Sequence, residues 1–332
     1  MTLHVLKNDY RCLRLFAGCS IFAGLLAWLP VLHAEAPQRC VELTADVTLN
    51  EISPKADVHV WIPVPQRSAW QDVRQVVQWE DLPLDLTQEQ RFGNKMLHGA
   101  GRIDSNSAKF EIVWQVRRRE EAKVGAESNA ELQAAERALW LRSTAKVPVG
   151  GAPLTLLQGI SLPVDARARI RVIYDRVLQH MSYDKSRPGY GTGDAVWACD
   201  SRFGNCTDFH SLFMSLARSQ SIPTQFEIGY PLPTGKKAGQ LTGYHCWAWF
   251  HQSGLGWQPV DISEADKHPE LTDYYFGHLS SDRVAFSVGR DIQLAPAQRG
   301  KPLNYFVVPY AEVDGVAIES SQLDFTLSFR DR

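Results

Sequence analysis

The chain has 332 residues, with 35 Lys and Arg against 37 Asp and Glu and a formal net charge of −2. It therefore presents no basic field for nucleic acid. Its 44% hydrophobic content is ample for packed cores, and its length fits two domains.

Residues 1–14 carry Lys7, Arg11 and Arg14, and residues 15–29 are continuously apolar until Pro30, with the small residues Ala34 and Ala36 beyond. A charged start, an apolar run and a small-residue zone make a secretory signal peptide over 1–34, with cleavage expected after Ala34. A membrane anchor is the plainer alternative, but the run is short for a span. No stable membrane insertion is expected after cleavage, and the mature chain is expected in the periplasm or outside the cell. Cys12 and Cys19 would leave with the signal, so Cys40, Cys199, Cys206 and Cys246 would remain in an oxidising compartment, their pairing open.

Residues 38–150 read as an N-terminal β-rich domain. Apolar and polar residues alternate over 40–49, 57–65 and 109–117, with prolines and glycines between, which predicts an antiparallel β-sandwich-like module. The run Arg117-Arg118-Arg119-Glu120-Glu121 reads as a solvated, mixed-charge strand end. Residues 127–142 turn helical in composition, and 148–153 read as a linker.

A second unit is expected over 160–265. It opens with a helix at about 165–180, whose Ile170, Ile173, Tyr174, Val177 and Leu178 form one face. The most informative segment follows: Gly204-Asn205-Cys206-Thr207-Asp208, then a helix in which Phe209, Leu212, Phe213, Leu216 and Ala217 recur at the spacing of one buried face. Cys206 lies in that helix's first turn, where unpaired N–H groups and the positive end of the macrodipole favour thiolate over thiol. A thiolate attacks carbonyls far more readily than a thiol does. Asp208 reads as a first-turn carboxylate serving the helix end.

A thiol nucleophile needs a base. Tyr244 to Phe250 and Gly256 to Ile262 are strand-like runs, and a hairpin turning about Ser253 places His245 directly opposite Asp261. Such pairs have Cβ atoms about 4.5–5.5 Å apart, close enough for the carboxylate to fix the imidazole tautomer. A register slip of one residue would put the two on opposite faces. Cys206 as nucleophile, His245 as base then acid, and Asp261 as orienter form the candidate catalytic residues. Trp247, Trp249 and Trp257 read as hairpin packing. Residues 266–332 form a C-terminal extension, with an excursion near the site at 268–277. Strands expected at 304–310 and 323–329 would complete the core sheet or pack on it.

The stretch GNCTDFHSLFMSLARSQSIPTQFEIGY, followed by YHCWAWF and GWQPVDIS, resembles the transglutaminase-like superfamily in its secreted bacterial branch, over roughly residues 160–265. The resemblance implies an α+β, papain-like/transglutaminase-like cysteine enzyme core, here preceded by the β-sandwich-like domain. It assigns Cys206, His245 and Asp261 to the triad. It implies attack on an amide, an acyl-thioester, and release to water (a protease or amidase) or to an amine (a cross-linking acyltransferase), with hydrolysis preferred and a protein or peptide as substrate. Cys246, a second thiol beside the histidine, departs from the pattern. The Cys206 N–H is a candidate oxyanion donor, with Trp197 or Tyr183 as side-chain candidates.

Each residue has a plainer reading: Cys206 as a small buried hydrophobe, His245 as a satisfied core histidine, Asp261 as a turn former. A non-catalytic binding or scaffold protein that retains the core is the alternative function. Zinc could draw on Cys199, Cys206, His245 and Cys246, but C-x-x-C pairs are absent and neighbours on a strand point to opposite faces, so no metal and no cofactor are expected.

Overall fold

A computed structural model describes residues 37–120 and 131–332. The expected signal peptide, Glu121 and the first residues of the expected helix at 127–142 lie outside the described residues.

The chain begins with six strands, β1 (Gln38–Leu49), β2 (Asp57–Pro63), β3 (Gln71–Glu80), β4 (Leu84–Gln88), β5 (Lys95–Arg102) and β6 (Ala108–Arg119). Helices α1 (Ala134–Leu141) and α2 (Ala166–His180) follow. Then come β7 (Ser182–Tyr183), α3 (Ala195–Ser201), β8 (Phe203–Gly204) and α4 (Cys206–Ser219). The remaining elements are β9 (Thr224–Pro231), β10 (Ala238–Gln240), β11 (His245–Gln252), β12 (Gly256–Val260), α5 (Ile262–Lys267), β13 (Arg283–Val288), β14 (Tyr310–Val313), β15 (Val316–Ala317) and β16 (Leu323–Asp331). The fold is mixed α+β, and its larger sheets are antiparallel.

Two five-stranded sheets, β10-β16-β1-β6-β3 and β15-β14-β2-β5-β4, make the β module. Alternation explains them. Val41, Leu43, Ala45, Val47 and Leu49 of β1 and Phe110, Ile112, Trp114 and Val116 of β6 are buried, and they share one apolar core with Val58, Val60 and Ile62 of β2. That core runs without a break into the helical unit, through Ile170, Phe209 and Phe226.

The C-terminal segment departs from expectation. Residues 304–309 are irregular and the strand starts at Tyr310. β14 pairs with β2 and β16 pairs with β1 along nine residues, so these strands close the two N-terminal sheets. Only β13 joins the core sheet, whose order is β12-β11-β9-β13. Periodicity marks a strand but not its partner, and pairing across nearly the whole chain is a tertiary property.

Arg118 also differs from its reading as a solvated residue. It occupies a buried alternating position of β6, 1% exposed, within electrostatic reach of the buried Glu227 on β9. Its neighbours Arg117 and Arg119 stay outside and pair with Asp72.

α4 is the centre of the second unit. Every residue from Cys206 to Arg218 is buried, so it is enclosed on all sides and not only on the one face that the spacing predicts. It packs on β9 and β11 below and against α2, α3 and α5 around it. Among the described residues, no helix is long and apolar enough to cross a membrane.

Candidate active site

Asn205 caps α4. Its Oδ1 accepts from the Thr207 N–H at 2.9 Å, while the Asp208 carboxylate reaches back to the Asn205 N–H at 2.9 Å, completing a capping box. Asp208 does more than serve the helix end: it also accepts the N–H groups of Gly191 at 2.7 Å and Gly193 at 2.9 Å, pinning that loop over the start of α4. The glycine of the Gly-x-Cys motif follows from this clamp. A Cβ on Gly204 would lie 2.5 Å from Asp208 Oδ2, so only glycine admits the carboxylate.

The geometry around Cys206 brings the three sequence-predicted residues together. Cys206 is 2% exposed, His245 4% and Asp261 fully buried. His245 Nε2 lies 2.7 Å from Asp261 Oδ2, which leaves Nδ1 for the hydrogen bond between His245 and the Cys206 sulfur. The hairpin register differs from the expected one by two residues. Trp249 faces Pro259 and the ladder ends at Ala248 opposite Val260, because the turn is centred on Gly254, in the left-handed region at φ 77°. A shift of two keeps every side chain on its face, so His245 and Asp261 still meet, diagonally instead of directly opposed. Asp261 itself has left the strand and caps α5, its Oδ1 accepting the Glu264 N–H at 3.1 Å.

Electrostatics polarise this group. Burial opposes charge on His245, but the Asp261 carboxylate outweighs it and raises the imidazole to about 9, with Arg283 pulling the other way. Burial also opposes the Cys206 thiolate. Hydrogen bonds from Cys246 and His245 and the imidazolium charge overcome it, and the thiol is held well below its ordinary value. Asp261 is buried too, yet His245 and Arg283 keep it ionised far below the usual carboxylate range. The arrangement favours a thiolate–imidazolium pair.

Cys246 is part of this surrounding. Its sulfur lies 3.6 Å from His210 Nδ1, and burial followed by the neighbouring Cys206 pushes the thiol well up, so it stays a thiol. Adjacent His245 and Cys246 were expected on opposite strand faces, yet both reach Cys206. β11 is nevertheless paired with β9 from its first residue, His245 opposite Gly229 and Cys246 opposite Ile228, and is free of β12 before Ala248. The four described cysteines, Cys40, Cys199, Cys206 and Cys246, are all unbridged.

Several residues here went unread in the sequence. His210, one turn after Cys206, is fully buried. Its Nε2 accepts the Ile262 N–H at 3.1 Å, so the proton sits on Nδ1, which donates to the Cys206 carbonyl at 2.7 Å. The i, i+4 spacing from Cys206 was the available signal. Arg283 donates to Asp261 Oδ2 at 2.5 Å. Asn205 Nδ2 donates to the Tyr244 hydroxyl at 3.3 Å, which lies 3.2 Å from the Tyr305 hydroxyl, so two tyrosines border the nucleophile's turn. Of the two side chains considered for the oxyanion, Tyr183 lies within electrostatic reach of Cys206, whereas Trp197 packs on the Phe203 ring 5.2 Å away. Trp247 and Trp249 pack in a cluster with Leu279 and Ala285, and both indole N–H groups donate to Glu227, at 2.5 and 2.8 Å.

Residues 155–262 match the Transglutaminase-like superfamily. An uncharacterized protein of Haemophilus influenzae is 25% identical over 348 residues, covering 92% of this chain and 93% of its own length. A crystal structure from Cytophaga hutchinsonii, provisionally named as a cysteine protease, superposes with a TM-score of 0.58 at 13% identity over 90% of this chain and 92% of that one. The periplasmic domain of TgpA from Pseudomonas aeruginosa is a more distant likeness, with a TM-score of 0.35 at 15% identity over 72% of this chain and 93% of that one. The segment that matches this superfamily contains Cys206, His245 and Asp261.

Proposed function

We propose that this chain is an exported cysteine-dependent amide hydrolase acting on a protein or peptide. The observation that carries the reading is the buried Cys206–His245–Asp261 chain, in which the thiol is lowered and the imidazole raised. The Cys206 thiolate attacks the amide carbonyl carbon, and the oxyanion meets the Cys206 N–H at the start of α4. The tetrahedral intermediate collapses as the His245 imidazolium gives its proton to the leaving amine, which leaves an acyl-thioester. The neutral imidazole then takes a proton from water, hydroxide adds to the thioester, and the acid leaves as Cys206 regains its electron pair. A thioester can also pass to an amine, so acyl transfer is the sister reaction of the same residues.

A cleft of about 640 Å³ adjoins Tyr244, the residue before His245, and is lined by Leu241, Val308, Ile318, Leu323 and Phe325. Its place beside Tyr244 and its mixed lining, with Gln240, Thr242 and Glu319 among the apolar residues, suit an extended peptide. The charged, apolar and small-residue pattern of residues 1–34 supports export to the periplasm.

Iodoacetamide labelling across pH, read by peptide mass, tests the nucleophile: Cys206 reacts well below the pH at which Cys199 and Cys246 do. Labelling of Cys206 only at ordinary thiol pH would sink the reading. A peptide and cell-wall-fragment library, scored for both cleavage and ammonia release, identifies the substrate and separates hydrolysis from transfer.

A further inference from the structure

Asp261 serves two cations. Its Oδ2 accepts from His245 Nε2 at 2.7 Å and from Arg283 Nη2 at 2.5 Å, so the guanidinium and the imidazole share one oxygen. The other oxygen is occupied by the Ser263 hydroxyl at 3.0 Å and the Glu264 N–H at 3.1 Å. Arg283 is 5% exposed, opens β13 opposite Pro231 of β9, and lies 5.8 Å over the Trp247 ring. It belongs to neither strand of the His245 hairpin, and it comes from the C-terminal side of the superfamily-matched core. Besides Asp261, the charged or titratable groups that act on Arg283 are Glu264, Tyr275, Tyr274 and His245. Those that act on His245 are Asp261, Arg283 and Cys206, and His210 and His245 repel one another when charged.

A carboxylate facing only an imidazole would bind its proton very firmly. That firmness harms an acid–base group, which must give the proton to the leaving amine and take another from water in each turnover. A guanidinium on the same oxygen draws off part of the negative field and fixes the carboxylate in a single rotamer.

We propose that Arg283 is a positioning residue that shares the Asp261 carboxylate with His245 and so limits how firmly the imidazole keeps its proton. The proposal rests on the cysteine-enzyme reading but is tested apart from it. His245 is titrated by NMR of its imidazole nuclei in the full chain carrying Cys206→Ala, which removes the nucleophile. There Arg283→Met moves the His245 midpoint up by about one pH unit or more, the scale expected for loss of one charge a few ångströms away. Arg283→Lys, which restores a charge without the fork, brings the midpoint back most of the way. Arg283→Gln, which keeps an N–H donor for Asp261 but no charge, shifts it up like methionine and carries the same test if methionine does not fold. A folded Arg283→Met or Arg283→Gln chain whose His245 titrates as in the parent overturns the proposal, as does a downward shift. If the His245 midpoint is ordinary in the chain that retains Cys206 while the arginine variants still shift it upward in the Cys206→Ala background, the positioning role stands and the ion-pair reading of Cys206 falls.

Discussion

His210 joins the carbonyl of Cys206, 2.7 Å away, to the N–H of Ile262, the residue after Asp261. The two ends of the candidate catalytic chain, the start of α4 and the start of α5, are thus held by one neutral imidazole. Burial lowers the affinity of His210 for a second proton, which the network does not accommodate, since Nε2 is already an acceptor. His210→Ala removes both bonds and leaves a cavity, and it should cost about 2–4 kcal/mol in urea melts. His210→Gln, with an amide that can still donate and accept, should recover part of the stability. Turnover by any substrate identified should fall in both variants, with kcat affected more than KM.

Asp261→Asn keeps a good cap for α5 but removes the charge that holds His245 protonated. His245 is raised from 6.5 to about 9, so the stabilisation it draws from Asp261 is fully present below about pH 6.5 and is lost as pH climbs through about 9. The stability difference between the wild type and Asp261→Asn should therefore be largest, on the order of 3 kcal/mol, on the acid side of that window, and should shrink across it. Denaturant melts at half-unit pH steps measure this. In the same variant, Cys206 alkylation should move toward ordinary thiol pH.

Cys246 stabilises the Cys206 thiolate through its S–H. Cys246→Ala should raise the pH midpoint of Cys206 alkylation while barely changing the fold, because a small apolar side chain suits this buried position. Cys246→Ser, which keeps a hydroxyl donor, should leave the midpoint near the wild-type value. Equal midpoints in all three proteins would remove Cys246 from the site.

The loop carrying Gly191 and Gly193 depends on one carboxylate. Asp208→Ala leaves the N–H groups of Gly191, Gly193 and Asn205 without their acceptor, at a cost of about 3–5 kcal/mol. Hydrogen exchange at Gly191 and Gly193 should quicken by at least a hundredfold, and Cys206 labelling should lose its distinctive pH profile as the helix start loosens.

The sequence made the three candidate side chains readable because their contexts are local. A capped helix start, an aromatic strand and a Trp-Gln-Pro-Val-Asp run each declare themselves within a few residues. Register was less legible. The loop between the strands admits a turn about Ser253 or Gly254, and the positive φ of Gly254 decides between them. His210 and Arg283 escaped because nothing in their own neighbourhoods marks them. Arg283 lies 22 positions from Asp261, and only the pairing of β13 with β9 brings it there.

By itself, then, the sequence determined the helix and strand periods, singled out Cys206, His245 and Asp261 as candidates, and marked the segment that matches the transglutaminase-like superfamily. All of these depend on residue type and short spacing. The tertiary structure alone decided that α4 is enclosed on every side, that β14 and β16 close sheets begun by β2 and β1, and that Asp261 is shared between His245 and Arg283. The physical reason is the same in each case: burial, strand partners and the competition of two cations for one oxygen arise from contacts between distant segments, which exist only once the whole apolar core has closed.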